Sequence, residues 1–151
     1  MKFGVDFEVP SIGDKMGLGG TASVYVGKLV GDAIRENEGI RKVAIKAMNM
    51  EDSTSNENSE SLSSFHYEIA IMSCFPPHPN VVRFVGYCDK PRIILMKFYE
   101  ANLSDMLRRK DVEIPLNMAI RIAYDVANGM NHIHKHGILH LDVKPSKNNK
   151  I

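Results

Sequence analysis

The order of apolar patterns along this chain restricts its fold more than any other feature of the sequence. Short runs rich in β-branched residues recur through the first 99 positions and are typical of strands. One segment among them has apolar residues at helical spacing, and the same spacing recurs after residue 100. Strands are predicted at 22–30, 41–49, 81–88 and 92–99, and helices at 62–72, 101–110 and 114–137. Because strands and helices are segregated and do not alternate, the sequence predicts an α+β fold.

Two polar stretches connect the early elements. The first, residues 31–39, reads GDAIRENEG and is predicted to be a long hairpin loop. The second, residues 51–64, reads EDSTSNENSESLSS. It has too little apolar surface to offset the entropy lost on ordering, so we predict a mobile surface loop. Phosphorylation of its serines is the alternative to a purely solvated linker.

The two longer helical patterns each have identifiable ends. The first presents Leu62, Phe65, Ile69 and Met72 on one face, with Glu68 beside them, and ends before a run of prolines. The second is expected to begin at Pro115 and to end at Gly137. Its apolar positions include Ile120, Ala123, Ala127, Met130 and Ile133.

Composition and charge argue against several classes of protein. The 151 residues carry a formal net charge of +1, which gives no reason to expect binding to nucleic acid or to a membrane surface. Cys74 and Cys88 fit neither a metal-binding spacing nor a disulfide framework, so we expect reduced thiols. The N-terminus lacks the apolar core of a signal peptide, and no apolar run is long enough to span a bilayer. These features predict a cytoplasmic protein with a single domain.

A glycine-rich segment, GLGGTASV at residues 17–24, lies between predicted strands. Glycines allow the backbone to approach an anion closely, and successive N–H groups can then point at phosphate oxygens. Taken alone, such segments are mostly simple turns.

A second motif, VAIK, ends at Lys46 on a predicted strand. A lysine in this position usually extends into solvent. Glu68 on the following helix is a candidate partner, and a pair between them would hold the ammonium over the phosphates of a nucleotide. The alternative is an ordinary glutamate on a helix surface.

A third motif, HLDVK at residues 140–144, follows the longest helix. Asp142 has the chemistry to orient an attacking hydroxyl or to accept its proton, and Lys144 to neutralise a transferring phosphoryl group. A lone His-x-Asp is usually structural.

In this order and spacing the motifs resemble the signature of the protein kinases. The resemblance runs from the glycine-rich segment through VAIK, Glu68 and HPNVV (residues 78–82) to HLDVKP. It implies a kinase-like N-lobe with the hinge over residues 10–99, built from an antiparallel five-stranded sheet plus one helix. It also implies that residues 100–151 form the first helices of an incomplete helical C-lobe. Lys144 resembles the serine/threonine type, because tyrosine kinases usually lack this lysine.

The resemblance further implies which residues act on ATP. Lys46, paired with Glu68, would contact the α- and β-phosphates, Asp142 would be the catalytic aspartate, and Lys144 would assist transfer. Met96 would be the gatekeeper beside the adenine. The other implied contacts with ATP are Gly17, Leu18, Gly19, Ala22, Val24, Ala44, Lys97 and Tyr99.

Several positions depart from the family's pattern. Ala22 replaces the third glycine, and Leu141 replaces the arginine that grips a phosphorylated activation loop. Lys147 stands where the family has the asparagine that holds Mg²⁺, and an ammonium cannot ligate a metal. The 151 residues also contain no Asp-Phe-Gly. We therefore expect a truncated kinase domain with negligible activity by itself, although the family's cofactors are ATP and Mg²⁺.

Two alternatives remain open. The chain is either a non-catalytic module that binds nucleotide or a partner, or an incomplete copy of a larger kinase. The apolar face of its last helix would be bare and would bind a partner or aggregate. The sequence does not indicate a protein substrate.

Overall fold

The computed structural model describes residues 1–2, 4, 6–8, 15–18, 22–48, 57–109 and 113–144. Two units are distinguished by their internal contacts. The sheet unit comprises Met1–Cys74 and Phe84–Phe98, and the helical unit comprises Phe75–Arg83 and Tyr99–Ile151.

The described strands of the sheet unit form one antiparallel sheet. Its strands are β1 (Phe7–Glu8), β2 (Lys15–Leu18), β3 (Ala22–Leu29), β4 (Lys42–Met48), β5 (Phe84–Cys88) and β6 (Ile93–Lys97). Their order is β1-β3-β4-β6-β5, and β2 also pairs with β3. The predicted α+β class is confirmed. The four strands predicted by position correspond to β3–β6, β2 completes the five that the resemblance implies, and β1 is an additional strand of 2 residues.

Alternation along the strands places hydrophobic cores on both faces of the sheet. In β4, Val43 and Ile45 are fully buried on one face, so Ala44 and Lys46 lie on the other. The first core consists of Phe7, Leu29, Ala33, Val43, Ile45, Val85, Cys88, Ile93 and Leu95. The second core joins helix α2 (Glu57–Ser73) to the sheet through Phe65, Ile69 and Ile94.

The polar segment 31–39 joins β3 and β4, which pair as an antiparallel hairpin as predicted, but part of it is a helix and not loop. Helix α1 spans Asp32–Glu36, and both Ala33 and Asn37 are buried. The side-chain amide of Asn37 donates a hydrogen bond to the Ala33 carbonyl over 2.9 Å. A single buried alanine in a charged segment produces no periodic apolar pattern, so the sequence did not indicate this helix. The packing of Ala33 in the first core favours it.

Helix α2 begins at Glu57, so the predicted loop over residues 51–64 is wrong in its second half. Residues 51–56 lie outside the described part of the chain. Packing of Phe65 and Ile69 in the second core stabilises the helix beyond the propensity of its serine-rich start. Leu62, expected on the same apolar face, remains 40% exposed.

The helical unit contains α3 (Leu103–Arg108) and α4 (Leu116–Lys135). Asn102 caps α3, because its Oδ1 accepts a hydrogen bond from the backbone N–H of Asp105 over 2.8 Å. Helix α4 begins directly after Pro115 and ends before Gly137, which has a φ of +75°. Both ends lie where they were predicted, because proline presets the first-turn φ and glycine tolerates the left-handed region.

Residues 75–83 pack on the second half of α4 through aromatic rings. The ring of His78 stacks on that of His132 with centroids 4.4 Å apart, and the ring of His136 lies 4.8 Å from His132. We name these three side chains the imidazole cluster. Phe75 meets His136 edge-on at 5.5 Å. No sequence pattern predicted this contact, because its partners are far apart along the chain.

Much of α4 is exposed. Of its predicted apolar positions only Ile133 is buried, and Ile120 is 61% exposed. Leu116 and Tyr124 are exposed as well. The expected bare apolar face is therefore present, while its tendency to bind a partner or to aggregate stays a prediction. No described helix combines the length and the hydropathy that crossing a bilayer requires.

Candidate functional site

Lys46 and Glu68 meet between strand β4 and helix α2. The Nζ of Lys46 donates hydrogen bonds to both carboxylate oxygens of Glu68, over 2.6 and 2.7 Å. Their side chains are 25% and 33% exposed, so solvent screens the pair only in part. This contact is the one that the sequence predicted, and the roles of the two residues toward ATP stay a prediction.

Local structure explains why these two side chains face each other. Lys46 follows Ile45, which is fully buried in the first core, so alternation turns the lysine to the opposite face. Glu68 lies next to Ile69 and one turn after Phe65, both of which pack in the second core. The apolar packing that orients α2 therefore also orients the carboxylate.

The predicted ATP contacts on β3, β4 and β6 share the face on which α2 packs. Directly opposed residues of antiparallel strands point to the same face. Val24 is opposite Lys46, and Ala44 is opposite Met96. Ala22 precedes Val24 by two residues and so lies on this face too. The strand register thus brings together five residues that the sequence analysis selected separately.

The glycine-rich segment begins as a hairpin beside these residues. Gly17 and Leu18 belong to β2, where Gly17 is opposite Val24 and Leu18 is opposite Ser23. Gly19 lies outside the described residues. Phosphate binding by this segment remains a prediction.

Lys97 and Tyr99, whose backbone groups were predicted to meet the adenine edge, lie at the end of the sheet and just beyond it. Lys97 is the last residue of β6, opposite Val43. Tyr99 belongs to the helical unit. Burial raises the pKa of the Tyr99 phenol, and a backbone hydrogen bond with Arg83 partly offsets this rise.

Asp142 and Lys144 lie in the segment after α4 that has no regular secondary structure. The Nζ of Lys144 is 3.1 Å from Oδ1 of Asp142, with the two side chains 49% and 47% exposed. A pair this exposed contributes little to stability. The backbone N–H of Asp142 donates to Nδ1 of His140 over 3.3 Å. Leu141 has a φ of +56°, which is rare for a leucine, and Lys147 lies outside the described residues.

Two further contacts hold α2, and sequence reasoning did not predict them. The guanidinium of Arg92 donates to Oγ of Ser61 over 3.1 Å. Nε2 of His66 lies 3.4 Å from Oδ1 of Asp89. Asp89 and Arg92 both belong to the turn between β5 and β6, whose approach to the helix depends on the tertiary fold and leaves no local signal.

Comparisons with known proteins agree with this arrangement. A family model described as protein tyrosine and serine/threonine kinase matches residues 11–148. A probable serine/threonine-protein kinase of Dictyostelium discoideum is 40% identical over 56% of this chain and 6% of its own length. A putative serine/threonine-protein kinase/receptor of Acanthamoeba polyphaga mimivirus is 33% identical over 93% of this chain and 8% of its own length. A serine/threonine/tyrosine-protein kinase of Arabidopsis thaliana is 30% identical over 69% of this chain and 27% of its own length.

This chain therefore spans between 6% and 27% of the length of these three relatives. The family model nevertheless covers nearly all of its residues. With the kinase-like sheet, the helix on its face and the Lys46–Glu68 pair in place, the chain belongs to the protein kinase family.

Proposed function

We propose that this chain forms the ATP-binding part of a serine/threonine protein kinase domain. The observation that carries the proposal is the ion pair between Lys46 and Glu68. A carboxylate that holds the ammonium through two hydrogen bonds fixes its position, and in this family the lysine so held contacts the α- and β-phosphates. Relatives named as serine/threonine-protein kinases support the choice of hydroxyl acceptor.

In this proposal the nucleotide lies against the sheet face that carries Val24, Ala44 and Met96. The oxygen of a serine or threonine hydroxyl attacks the γ-phosphorus as the bond to the leaving ADP breaks. Asp142 orients this hydroxyl and accepts its proton. Lys144, beside Asp142, neutralises part of the charge on the transferring group.

Magnesium neutralises the developing phosphate charge in this family, and the residues present here do not fit it. In the part of the chain that the structure describes, no three His, Cys, Asp or Glu side chains gather as a cation site. Lys147 stands where the family's metal-binding asparagine is expected, and an ammonium only donates hydrogen bonds. We therefore expect residues 1–151 to bind ATP without turning it over.

The same substitution favours a second candidate function, a non-catalytic nucleotide-binding module. Leu141 bears on regulation and not on transfer itself, because it replaces the arginine by which the family's catalytic loop senses a phosphorylated activation loop. Both candidates require the nucleotide to bind, and only the first includes transfer, by the kinase domain of which this chain forms the ATP-binding part.

Nucleotide binding is tested by calorimetric titration of residues 1–151 with ATP. Lys46→Met should weaken binding about tenfold or more, because a hydrogen bond between charged groups contributes roughly 1.5–3 kcal/mol. Lys28→Met is the matched control, since Lys28 is an exposed lysine on the neighbouring strand β3. Equal affinities for the Lys46→Met and wild-type proteins, or no binding by either, would reject the proposal.

Transfer of labelled phosphate from ATP to a protein substrate tests whether residues 1–151 catalyse the reaction by themselves. We expect none from purified residues 1–151. Transfer that depends on a divalent cation and disappears in Asp142→Asn would establish catalysis and exclude the non-catalytic module.

A further inference from the structure

Arg92 is a half-buried cation whose described hydrogen-bond partner is a neutral hydroxyl. Its Nη1 donates to Oγ of Ser61 over 3.1 Å. Among the described residues, no carboxylate forms an ion pair with this guanidinium. A guanidinium binds an anion far more strongly than it binds a hydroxyl, because its planar fork matches the oxygens of a carboxylate or a phosphate.

The backbone of Arg92 is fixed to the sheet close to Lys46. Its carbonyl oxygen accepts a hydrogen bond from the N–H of Met48 over 3.0 Å. Met48 is the last residue of β4, two positions after Lys46. The guanidinium is therefore attached to the same strand system that presents the lysine.

Ser61 has a matching position on α2. It precedes Glu68 by seven residues, which is close to two full turns, so both side chains point to the same side of the helix about 10 Å apart. The contacts Ser61–Arg92 and Glu68–Lys46 therefore join the helix to the sheet at two successive levels. In the first contact the helix contributes the neutral hydroxyl of Ser61, whereas the second contact is an ion pair.

Ser61 also belongs to the serine-rich segment for which phosphorylation was the alternative to a solvated linker. A phosphoryl group adds about 1.5 to 2 negative charges and three acceptor oxygens. Among the acidic side chains that the structure describes, Glu68 pairs with Lys46 and Asp89 lies 3.4 Å from His66. Glu57 and Glu60 precede Ser61 on the same helix and add negative charge to this end of it. Arg92, already in contact with the Ser61 hydroxyl, is the described cation that the added phosphate charge would meet.

We propose that Ser61 is a phosphorylation site whose phosphate pairs with Arg92 and holds helix α2 against the sheet. In the modifying step, Oγ of Ser61 forms a bond to the γ-phosphorus of a nucleoside triphosphate that is bound by a protein kinase acting on this chain. The bond to the bridging oxygen breaks, the nucleoside diphosphate leaves, and the hydroxyl proton passes to the base of that kinase. The new ion pair restrains the helix that carries Glu68, which regulates the site proposed above.

The experiment installs phosphoserine at position 61 of residues 1–151 by genetic encoding. Phosphoserine at position 63 is the matched control, because Ser63 is exposed on the same helix and lies about 200° around its axis from Ser61. Both proteins carry the same added charge. Thermal unfolding and a ³¹P NMR titration of the phosphate are measured for each.

Phosphoserine 61 should raise Tm by about 2–4 °C over phosphoserine 63, as one or two added charge-assisted hydrogen bonds would do. Its phosphate should also titrate at a lower pH than that of the control, because the guanidinium favours the dianion. Both differences should disappear with Arg92→Gln and persist in part with Arg92→Lys, which keeps the charge without the fork. Equal Tm values and equal titrations at the two positions would overturn the proposal. Because both proteins in this comparison keep Arg92, its outcome does not depend on the folding of an Arg92 variant.

The consequence for nucleotide affinity rests on the proposed function, whereas the ion pair does not. ATP should bind the protein with phosphoserine 61 about threefold to tenfold more tightly than the control, which corresponds to roughly 1 kcal/mol. An absence of ATP binding in every variant would reject the proposed function, while the Arg92-dependent rise in Tm would still decide the Ser61 proposal. ATP binding with equal affinity at both phosphoserine positions would reject the regulatory part.

Discussion

Gly129 has a steric role that its position on a helix would not suggest. It is buried in α4, and a Cβ placed on it would collide with the carbonyl oxygen of Asn80. The adjacent Asn128 donates from its side-chain amide to Oδ1 of Asn80 over 3.1 Å. The lack of a side chain at Gly129 therefore lets the segment 75–83 approach α4 closely enough for this hydrogen bond.

Replacing Gly129 tests this contact. Gly→Ala in a helix normally stabilises a protein by about 1 kcal/mol. Gly129→Ala should instead lower the free energy of unfolding by about 1–3 kcal/mol, because the backbone of Asn80 must move. Urea denaturation measures the change. Asn131→Ala, at an exposed position of the same helix, should be neutral or slightly stabilising. A Gly129→Ala protein as stable as wild type would contradict the close approach.

Between elements, the imidazole cluster links α4 to the segment 75–83. Nε2 of His132 is enclosed and has no hydrogen-bond partner among the described residues. Burial lowers the pKa of His132, the charges of His78, His136 and Lys135 lower it further, and the Pro76 carbonyl offsets this in part. The neutral form of His132 is therefore the one that suits this contact.

The lowered pKa predicts acid sensitivity. Below the pKa of about 6.5 that an unfolded histidine has, the unfolded chain binds more protons at His132 than the folded chain does. The contribution of His132 to stability is therefore complete above that pH and is lost as the pH falls. We expect the urea midpoint to decrease between pH 7 and pH 5. His132→Phe, which keeps a stacking ring without a titrating group, should make this decrease smaller.

The matched control for that measurement is His134→Phe, because His134 is exposed on the same helix. It should leave the decrease in place. An identical pH profile for wild type and His132→Phe would show that His132 does not contribute to the acid sensitivity.

For the whole molecule, the distribution of exposed apolar surface differs between the two units. The sheet carries a buried core on each face, with α1 packed on one and α2 on the other. In the helical unit, α4 leaves Leu116, Ile120 and Tyr124 exposed. An exposed apolar surface of this kind favours association in water.

Self-association of residues 1–151 should therefore depend on α4. Ile120→Lys should reduce the aggregated fraction measured by light scattering, because it places a charge within the apolar surface. Asn131→Lys adds the same charge at an exposed polar position of the same helix and should have a much smaller effect. Equal reductions by the two variants would indicate that net charge, and not the apolar face, governs association.

The sequence predicted the parts of the fold that depend on local periodicity. Runs of β-branched residues identified the strands, and helical spacing placed Glu68 beside the apolar residues of α2. Proline and glycine marked both ends of α4. The Lys46–Glu68 contact was predictable for this reason, since each partner's orientation follows from the buried residues next to it.

The sequence alone thus determined where the strands and the ends of α4 lie and which residues carry charge at the kinase motifs. Only the tertiary structure decided that residues 32–36 and 57–61 are helical, that Gly129 lies against Asn80, and that Ser61 meets Arg92. These features depend on contacts between segments that are distant along the chain. Local composition does not encode them, because a polar segment forms a helix or a loop according to the surface against which it packs.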